Sequence, residues 1–193
     1  MREVVAEERA IVQKAVDEAR AISDECERDL SEAMPALKAA EKAVECITKN
    51  DIALLKKLGS PPEDVRMVMA AVCVLFGKDP AKEIDPATQQ AKYNYWPTAV
   101  LLMGNINFLK TIVEFDRDGI EEKKINKLQK FLEDPKFNVQ HLKGVSEVAA
   151  NLATWVIAMD KFYHINKIVI PKQAKLKVAT AKKNEQEAKL AIK

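Results

Sequence analysis

The first 49 residues carry apolar side chains at alternating steps of three and four, and this repeat constrains the fold more than any other feature. The spacing is that of the a and d positions of a coiled coil, and one extra residue between Cys26 and Leu30 indicates a stutter. A single surface helix would show a wider stripe and a length nearer roughly 10 to 20 residues. A helix of the present length would extend for about 70 Å, so it needs a partner along that length. The stripe consists of Val5, Val12, Ala15, Ala19, Ile22, Cys26, Leu30, Ala33, Leu37, Ala40, Val44 and Ile47.

The last 49 residues, 145–193, supply a second stripe with the same step. Its first half is well defined and consists of Val148, Leu152, Trp155, Met159, Phe162, Asn166 and Val169. Beyond Pro171 two phases are equally compatible with the sequence, and neither has a strongly apolar face. One phase consists of Leu176, Thr180, Lys183 and Leu190, and the other consists of Ala174, Val178, Ala181, Ala188 and Ile192. The sequence therefore predicts a second helical arm whose register against the first is weakly specified.

The charges of the two arms are opposite. Residues 1–49 carry 8 basic and 12 acidic side chains, a net charge of −4, whereas residues 172–193 carry 7 basic and 2 acidic ones, a net charge of +5. This pattern favours pairing of the arms with each other. Pro35 and Pro171 each fall inside a helical pattern, where the missing N–H and the ring predict a kink or an interruption.

The segment between the arms, residues 50–144, contains all five glycines and most of the prolines and aromatic residues. Ser60-Pro61-Pro62-Glu63 predicts a helix start with Ser60 as the N-cap, and Gly77 is the predicted end of that helix. Residues 78–97 have the composition of a long loop. A second helical pattern follows, with a possible break at Gly104-Asn105, and a third runs from about residue 119 to Asp134-Pro135.

These patterns together predict an all-α protein, in which a long antiparallel coiled-coil hairpin is capped by a small globular bundle of about six helices. Residues 1–49 form the first arm, residues 50–144 the globular tip, and residues 145–193 the last tip helix and the second arm. An all-β fold is excluded because five glycines and eight prolines provide too few turns. No apolar stretch reaches the roughly 18 residues of a membrane span, and no signal peptide is recognisable, so we expect no membrane partner.

No motif for catalysis or cofactor binding is present. Neither type of glycine-rich phosphate-binding loop occurs, and the only two histidines, His141 and His164, have no nucleophile beside them in a known motif. Three cysteines without Cys-x-x-Cys spacing argue against a disulfide framework and against a zinc site. We therefore expect no catalytic residue, no cofactor and no metal.

Basic residues of the tip are the best candidates for binding. Lys56 and Lys57 precede the first tip helix, Arg66 lies off its apolar stripe, and Lys123, Lys127 and Lys130 share one face of the third helix, with Lys124 beside them. An ordinary solvent-exposed face, on which basic and acidic residues alternate, would show the same pattern. Nucleic-acid binding would require a tip with a larger net positive charge. Residues 50–171 carry 16 basic and 15 acidic side chains, a net charge of only +1. A structural or nucleic-acid-binding helical hairpin arm is the alternative function.

An ordered series of short segments resembles the stalk of dynein heavy chains over nearly the whole length of the chain. The Tyr-Trp and Phe-Asp-x-Asp-x-Ile elements resemble axonemal dyneins more than the cytoplasmic form. The segments are Lys49-Asn50-Asp51-Ile52, Ser60-Pro61-Pro62, Val65-x-x-Val68-Met69-x-Ala71-Val72-Cys73-x-Leu75-x-Gly77, Tyr95-Trp96, Phe115-Asp116-x-Asp118-x-Ile120, Asp134-Pro135, Trp155-Val156-x-Ala158-Met159 and Val169-Ile170-Pro171-Lys172.

The resemblance implies a microtubule-binding domain at the end of an antiparallel coiled-coil stalk. In the family, the first and third tip helices and the start of the last arm face the acidic groove between α- and β-tubulin. The ATPase ring lies elsewhere in a much larger chain, so this stretch is expected to bind without hydrolysing nucleotide. A half-heptad slide of one arm along the other couples affinity to that ring. The implied partners are the microtubule and the rest of the heavy chain, in the cytoskeleton of the cytoplasm or of a ciliary or flagellar axoneme.

The same resemblance assigns microtubule binding to a set of basic residues. They are Lys56, Lys57, Arg66, Lys123, Lys124, Lys127 and Lys143. The loop from Gly77 to Trp96 is longer than in the cytoplasmic form, and two roles are open for it: an additional contact to the lattice, or a cover over the tip.

Overall fold

The computed structural model describes residues 2–192, which form eight α-helices and one two-stranded antiparallel sheet. These residues cluster into two compact units, one of residues 2–34 with 164–192 and one of Pro35–Tyr163. The predominantly helical fold class predicted from the sequence is confirmed. In chain order the elements are α1 (Arg2–Glu45), α2 (Lys49–Lys56), α3 (Glu63–Leu75), β1 (Ala81–Ile84), β2 (Ala91–Asn94), α4 (Trp96–Met103), α5 (Phe108–Val113), α6 (Glu122–Leu132), α7 (Val139–Lys143) and α8 (Glu147–Ile192).

The first unit consists of residues 2–34 of α1 and residues 164–192 of α8, packed antiparallel. Near one end Val12 and Leu190 line the same cavity, and further along Lys172 contacts Glu25 and Asp29. This order of contacts confirms the antiparallel pairing. The predicted stripe of α1 is confirmed as well, because its members in this unit are buried or half-buried.

The structure also resolves the phase of α8 beyond Pro171. The four residues of the first phase, Leu176, Thr180, Lys183 and Leu190, are half-buried. In the second phase Val178 is 70% exposed and Ile192 is 86% exposed. The first phase therefore faces α1. No residue of α8 beyond Val169 is fully buried within the described chain. This part of the seam, by which we mean the contact between α1 and α8, is therefore loosely packed.

Neither proline interrupts its helix. Pro35 lies inside α1 and Pro171 inside α8, and both helices are continuous. The predicted interruption is therefore wrong, whereas the alternative of a kink stays a prediction. Both rings are exposed. On the solvent side of a helix, water can hydrogen-bond to the carbonyl that the missing N–H leaves free.

The second unit contains α2 to α7 and one shared core. Helix α3 is central to this unit and packs against α4 and α6. Nine of its residues are buried, namely Val65 and the eight consecutive residues 68–75. An aromatic cluster fills one side of the core. Trp155 stacks on Phe76 at 5.9 Å between ring centroids and meets Phe115 edge-on at 5.2 Å.

The start of α3 differs from the prediction, whereas its end agrees with it. The helix begins at Glu63, and the N-cap is Pro62 and not Ser60. The two prolines explain the shift, because a residue that precedes proline avoids the helical region, so Pro61 is unsuited to a first turn. At the other end Gly77 adopts a φ of 68°, and Lys78 N–H donates to the Cys73 carbonyl at 2.9 Å, as in a Schellman motif.

The predicted loop of residues 78–97 contains a β-hairpin. Strands β1 and β2 pair antiparallel, with Ala81 opposite Asn94 and Ile84 opposite Ala91. The loop prediction is wrong because strands of four residues are too short to show an alternating pattern, and the turn has no Asn-Gly or Asp-Gly pair. Gln89 instead supplies the left-handed residue of the turn, with a φ of 57°.

Two further boundaries agree with the sequence. The second helical pattern is broken between α4 and α5 at Gly104-Asn105, and α6 ends before Asp134-Pro135. Among the described residues, no helix is both long enough and apolar enough to cross a membrane.

Candidate functional site

Helix α3 places Arg66 at the surface of the second unit. Val65 and Val68, on the inner face, are 2% and 0% exposed, whereas Arg66 is exposed. Because one face of α3 is fixed in the core, the guanidinium is held outward by the helix itself. The Arg66 N–H donates to the Pro62 carbonyl at 3.1 Å, so this residue lies in the first hydrogen-bonded turn.

Helix α6 presents a row of lysines. Lys123, Lys127 and Lys130 are exposed and lie at steps of four and three, so they share one face. Ile125 and Leu128 are 1% and 0% exposed on the opposite face and anchor α6 in the core. The helix has four lysines and one glutamate, a net charge of +3. The predicted lysine face is therefore formed, on a helix that packs directly against α3.

Lys124 lies apart from this row. It is half-buried, and its Cε and Nζ atoms lie 3.2 and 3.3 Å from the position that a Cβ on Gly77 would occupy. Its ammonium group is thus close to the C-terminal end of α3, where the helix dipole favours a positive charge. Lys124 therefore has a structural environment that Lys123 and Lys127 do not share.

A groove of about 460 Å³ is lined by Arg66 and by Lys130, the last member of the lysine row. Arg66 lines it from α3, Lys130 from α6, and Lys136 from the turn before α7. The wall opposite consists of aromatic residues that include Trp96 and Tyr95. Glu63, Asp64 and Asp134 line the groove as well, so three basic and three acidic side chains surround its aromatic residues.

Tyr95 is held in that wall by its packing. Its ring meets Phe131 edge-on at 6.3 Å between centroids. Burial raises the pKa of the Tyr95 hydroxyl above its ordinary value, and the nearby Cys73 and Asp79 raise it further, so the group stays neutral at physiological pH. Tyr95 contributes an uncharged polar atom to the groove.

Lys56 and Lys57 lie at a different place on the second unit. Lys56 is in the last turn of α2 and Lys57 is its C-cap, and both are exposed. Lys56 lines a second groove with Asn105 and Ile106, from the turn between α4 and α5. The lysine row of α6 does not line that groove.

A capping box fixes the start of α2. Asp51 N–H donates to the Thr48 hydroxyl at 3.1 Å, and Thr48 N–H donates to the Asp51 carboxylate at 2.9 Å. The backbone hydrogen bond from Thr48 is the main cause that lowers the pKa of Asp51, and the Thr48 side chain adds to it.

Lys143 lies in the last turn of α7 and is exposed. Two residues before it, the His141 Nε2 atom lies 3.1 Å from the Asp64 carboxylate in the first turn of α3. This contact joins α7 to the helix that carries Arg66. Lys143 thus lies on a helix that is joined to α3 through His141 and Asp64.

The sequence did not indicate the groove. Lys136 follows the Asp134-Pro135 turn and belongs to no periodic pattern, so spacing could not identify it. Tyr93 lines the groove from strand β2 and Trp96 lines it from the first residue of α4, both within the segment predicted as a loop.

The described residues contain no group of three or more histidine, cysteine, aspartate or glutamate side chains that could hold a metal ion. Cys26, Cys46 and Cys73 are all free thiols. Burial raises the pKa of the Cys73 thiol to about 12, so it stays protonated at neutral pH.

Comparison with known proteins defines the class to which this fold and surface belong. Residues 2–193 match a family model described as the microtubule-binding stalk of the dynein motor. A solved structure, the microtubule-binding domain of dynein-c, aligns over 76% of this chain and 95% of its own length, with 35% identity and a TM-score of 0.65. The chain belongs to the family of microtubule-binding stalks of dynein motors.

Two relatives indicate the branch of that family. Dynein axonemal heavy chain 3 of Mus musculus is 35% identical over 173 residues, which are 89% of this chain and 4% of the relative. The ciliary dynein beta chain of Tripneustes gratilla is 33% identical over 185 residues, which are 92% of this chain and 4% of the relative. The chain thus spans about 4% of the length of these heavy chains and matches their stalk, not their ATPase ring. These matches do not support the alternative of a nucleic-acid-binding hairpin arm.

Proposed function

We propose that this chain binds the microtubule lattice reversibly, through a cationic surface of the second unit that docks on acidic tubulin. The observation that carries the proposal is the row of exposed lysines on α6 beside Arg66 of α3, in a chain of the dynein stalk family. The central residues are Arg66, Lys123 and Lys127. Lys143 and, at a separate place on the unit, Lys56 and Lys57 supply further contacts, and Lys124 contributes charge from its half-buried position against Gly77.

The proposed partners follow from this role. Residues 50–144 act as the binding tip, and residues 1–49 and 145–193 act as the arms that connect it to the remainder of a heavy chain. The bound surface is the groove between α- and β-tubulin. We place the complex in the cytoskeleton, in a ciliary or flagellar axoneme, because the relatives are axonemal and ciliary chains. The chain itself is expected to have no ATPase activity and to bind neither nucleic acid nor membranes.

Affinity is expected to come from several weak ionic contacts together. An exposed ion pair contributes at most about 1 kcal/mol and is screened by salt. Binding that rests on a group of such pairs should therefore be saturable, reversible and strongly dependent on ionic strength. A stepping motor requires this reversibility.

The test is co-sedimentation with stabilised microtubules over a salt series, with Arg66→Glu as the central variant. Charge reversal removes one attraction and adds a repulsion, so we expect affinity to fall roughly tenfold. Lys182→Glu is the matched control, because Lys182 is an exposed lysine of the first unit. Equal affinities of Arg66→Glu and Lys182→Glu, with unchanged helix content, would remove Arg66 from the binding surface.

Coupling to the ATPase ring is the second part of the proposal. The two arms are expected to slide by about half a heptad between states of different affinity, and the loose packing of α8 beyond Val169 is compatible with such a slide. Two variants, each locked by a disulfide in one register, test this directly. If both bind microtubules equally well, the coupling does not operate through the register.

A further inference from the structure

A three-centre ionic contact joins the two helices of the first unit. The Lys172 Nζ atom of α8 lies 2.8 Å from the Glu25 carboxylate and 2.7 Å from the Asp29 carboxylate of α1. Lys172 and Asp29 have side chains that are only 24% and 25% exposed, whereas Glu25 is 52% exposed. Hydrogen bonds to Asp29 and Glu25 raise the pKa of Lys172, so the ammonium group is charged at all physiological pH values.

The two carboxylates belong to a longer acidic row on α1. Glu25, Asp29 and Glu32 lie at steps of four and three, so they share one face of the helix. Glu32 is exposed and lies one turn beyond the present contact of Lys172. In the opposite direction the row ends, because the residues one turn before Glu25 are Ala21 and Ile22.

The row offers Lys172 two equivalent positions. In the present register its partners are Glu25 and Asp29. If α8 moved by one turn, about 5 Å, toward Glu32, its partners would become Asp29 and Glu32. A move of one turn in the other direction would leave Glu25 as the single carboxylate partner. The ionic contact therefore permits a slide in one direction and opposes it in the other.

The apolar seam does not oppose that slide. From Lys172 onward six half-buried positions of α8 recur at steps of four and three, so a shift of one turn exchanges equivalent positions. These positions are Lys172, Leu176, Ala179, Lys183, Gln186 and Leu190, and Thr180, beside Ala179, is half-buried as well. Opposite them α1 presents small buried residues such as Ala15 and Ala19, at 6% and 7% exposure. Four of the half-buried residues of α8 are polar (Lys172, Thr180, Lys183 and Gln186) and none is fully buried, so this contact discriminates weakly between the two registers.

We propose that Lys172 selects the register of α1 and α8, with Asp29 as the partner common to both registers and with Glu25 and Glu32 as competing partners. Glu25 holds the present register, and Glu32 holds a register one turn further along α1. These are positioning residues. Their link to microtubule affinity rests on the function proposed above, whereas the selection of register does not.

The test measures the register directly, by pulsed electron spin resonance. Spin labels at the exposed positions Glu7 and Gln173 are separated by about five helical turns along the axes, and the slide toward Glu32 lengthens this distance by about 5 Å. The labels are introduced as cysteines in the full chain after replacement of its three native cysteines. The ratio of long to short distances reports the two registers.

Two substitutions that remove one carboxylate charge each, without changing the shape of the side chain, are expected to change the fraction of the long distance in opposite directions. Glu25→Gln should raise the fraction of the long distance about threefold, and Glu32→Gln should lower it. Glu27→Gln is the control, since Glu27 is exposed and lies on the opposite side of α1, and it should change nothing. Identical distance distributions for all three variants would overturn the proposal.

Charge reversal keeps the test decisive if the second register is sparsely populated. In Glu25→Lys the new ammonium group repels Lys172 from its present position, so the long distance should become the major one. An unchanged distribution in Glu25→Lys would overturn the proposal. Co-sedimentation of the same variants separates register selection by Lys172 from the coupling of register to microtubule affinity. A shift in distance without a change in affinity supports register selection by Lys172 and refutes the coupling.

Discussion

Trp155 is expected to be the most costly single residue to remove from the second unit. Its side chain is 3% exposed and contacts the rings of Phe76 and Phe115. A buried tryptophan removes about 150–250 Å² from water, which corresponds to roughly 4–6 kcal/mol at 25 cal/mol per Å². This value is an upper bound, and truncations of Trp to Ala typically cost about 3–5 kcal/mol. We therefore expect Trp155→Ala to lower the free energy of unfolding by about 4 kcal/mol.

Urea denaturation followed by tryptophan fluorescence measures this loss. The chain has two tryptophans, and the other one, Trp96, lies in the same unit, so it reports the unfolding of that unit in the variant. Leu101→Ala is the control, because Leu101 is 80% exposed and its truncation should cost less than about 0.5 kcal/mol. A loss below about 1.5 kcal/mol for Trp155→Ala would refute the view that the aromatic cluster holds this core together.

Two further predictions concern other parts of the chain. Leu176→Asp should destabilise the pairing of α1 and α8 by about 1–2 kcal/mol, because it places a charge in the seam, whereas Val178→Asp should be nearly neutral, and thermal unfolding of the two variants should differ accordingly. Equal melting temperatures would contradict the phase of α8. Because the pKa of Asp51 is lowered in the folded state, its stabilisation is complete above the unfolded value of about 3.9 and is lost as the pH falls through the folded value. The drop in urea midpoint between about pH 6 and about pH 3 should therefore be smaller in Asp51→Asn than in the parent, and an equal drop would contradict this assignment.

Features set by a long repeat could be predicted from the sequence. The stripe of α1 was identified because a step of three and four over many turns is a geometric requirement of two paired helices. The phase of α8 beyond Pro171 could not be chosen, since polar and small residues occupy both candidate faces. The structure places Leu176 toward α1 and Val178 toward solvent, which is a choice that depends on the partner helix and not on α8 alone.

Local rules failed where two of them competed. Ser60 fits the pattern of an N-cap, but the restriction that Pro62 imposes on Pro61 moved the start of α3 to Glu63. The lysine face of α6 followed from its spacing, whereas the place of Lys124 did not, because its contact is with Gly77 at the end of another helix. The groove beside Arg66 depends on residues brought together by the tertiary fold.

The β-hairpin has a consequence for the solubility of the chain. A sheet of two strands has no interior strand, so both of its outer edges present unpaired backbone groups that could template pairing with another molecule. Ile84 and Tyr93, each 63% exposed, would add apolar surface to such a contact. Each strand is only four residues long and carries a lysine, at Lys82 in β1 and Lys92 in β2. Short edges that carry charged side chains discourage edge-to-edge aggregation, so we expect Lys82 and Lys92, together with Glu83 of β1, to protect the hairpin from it.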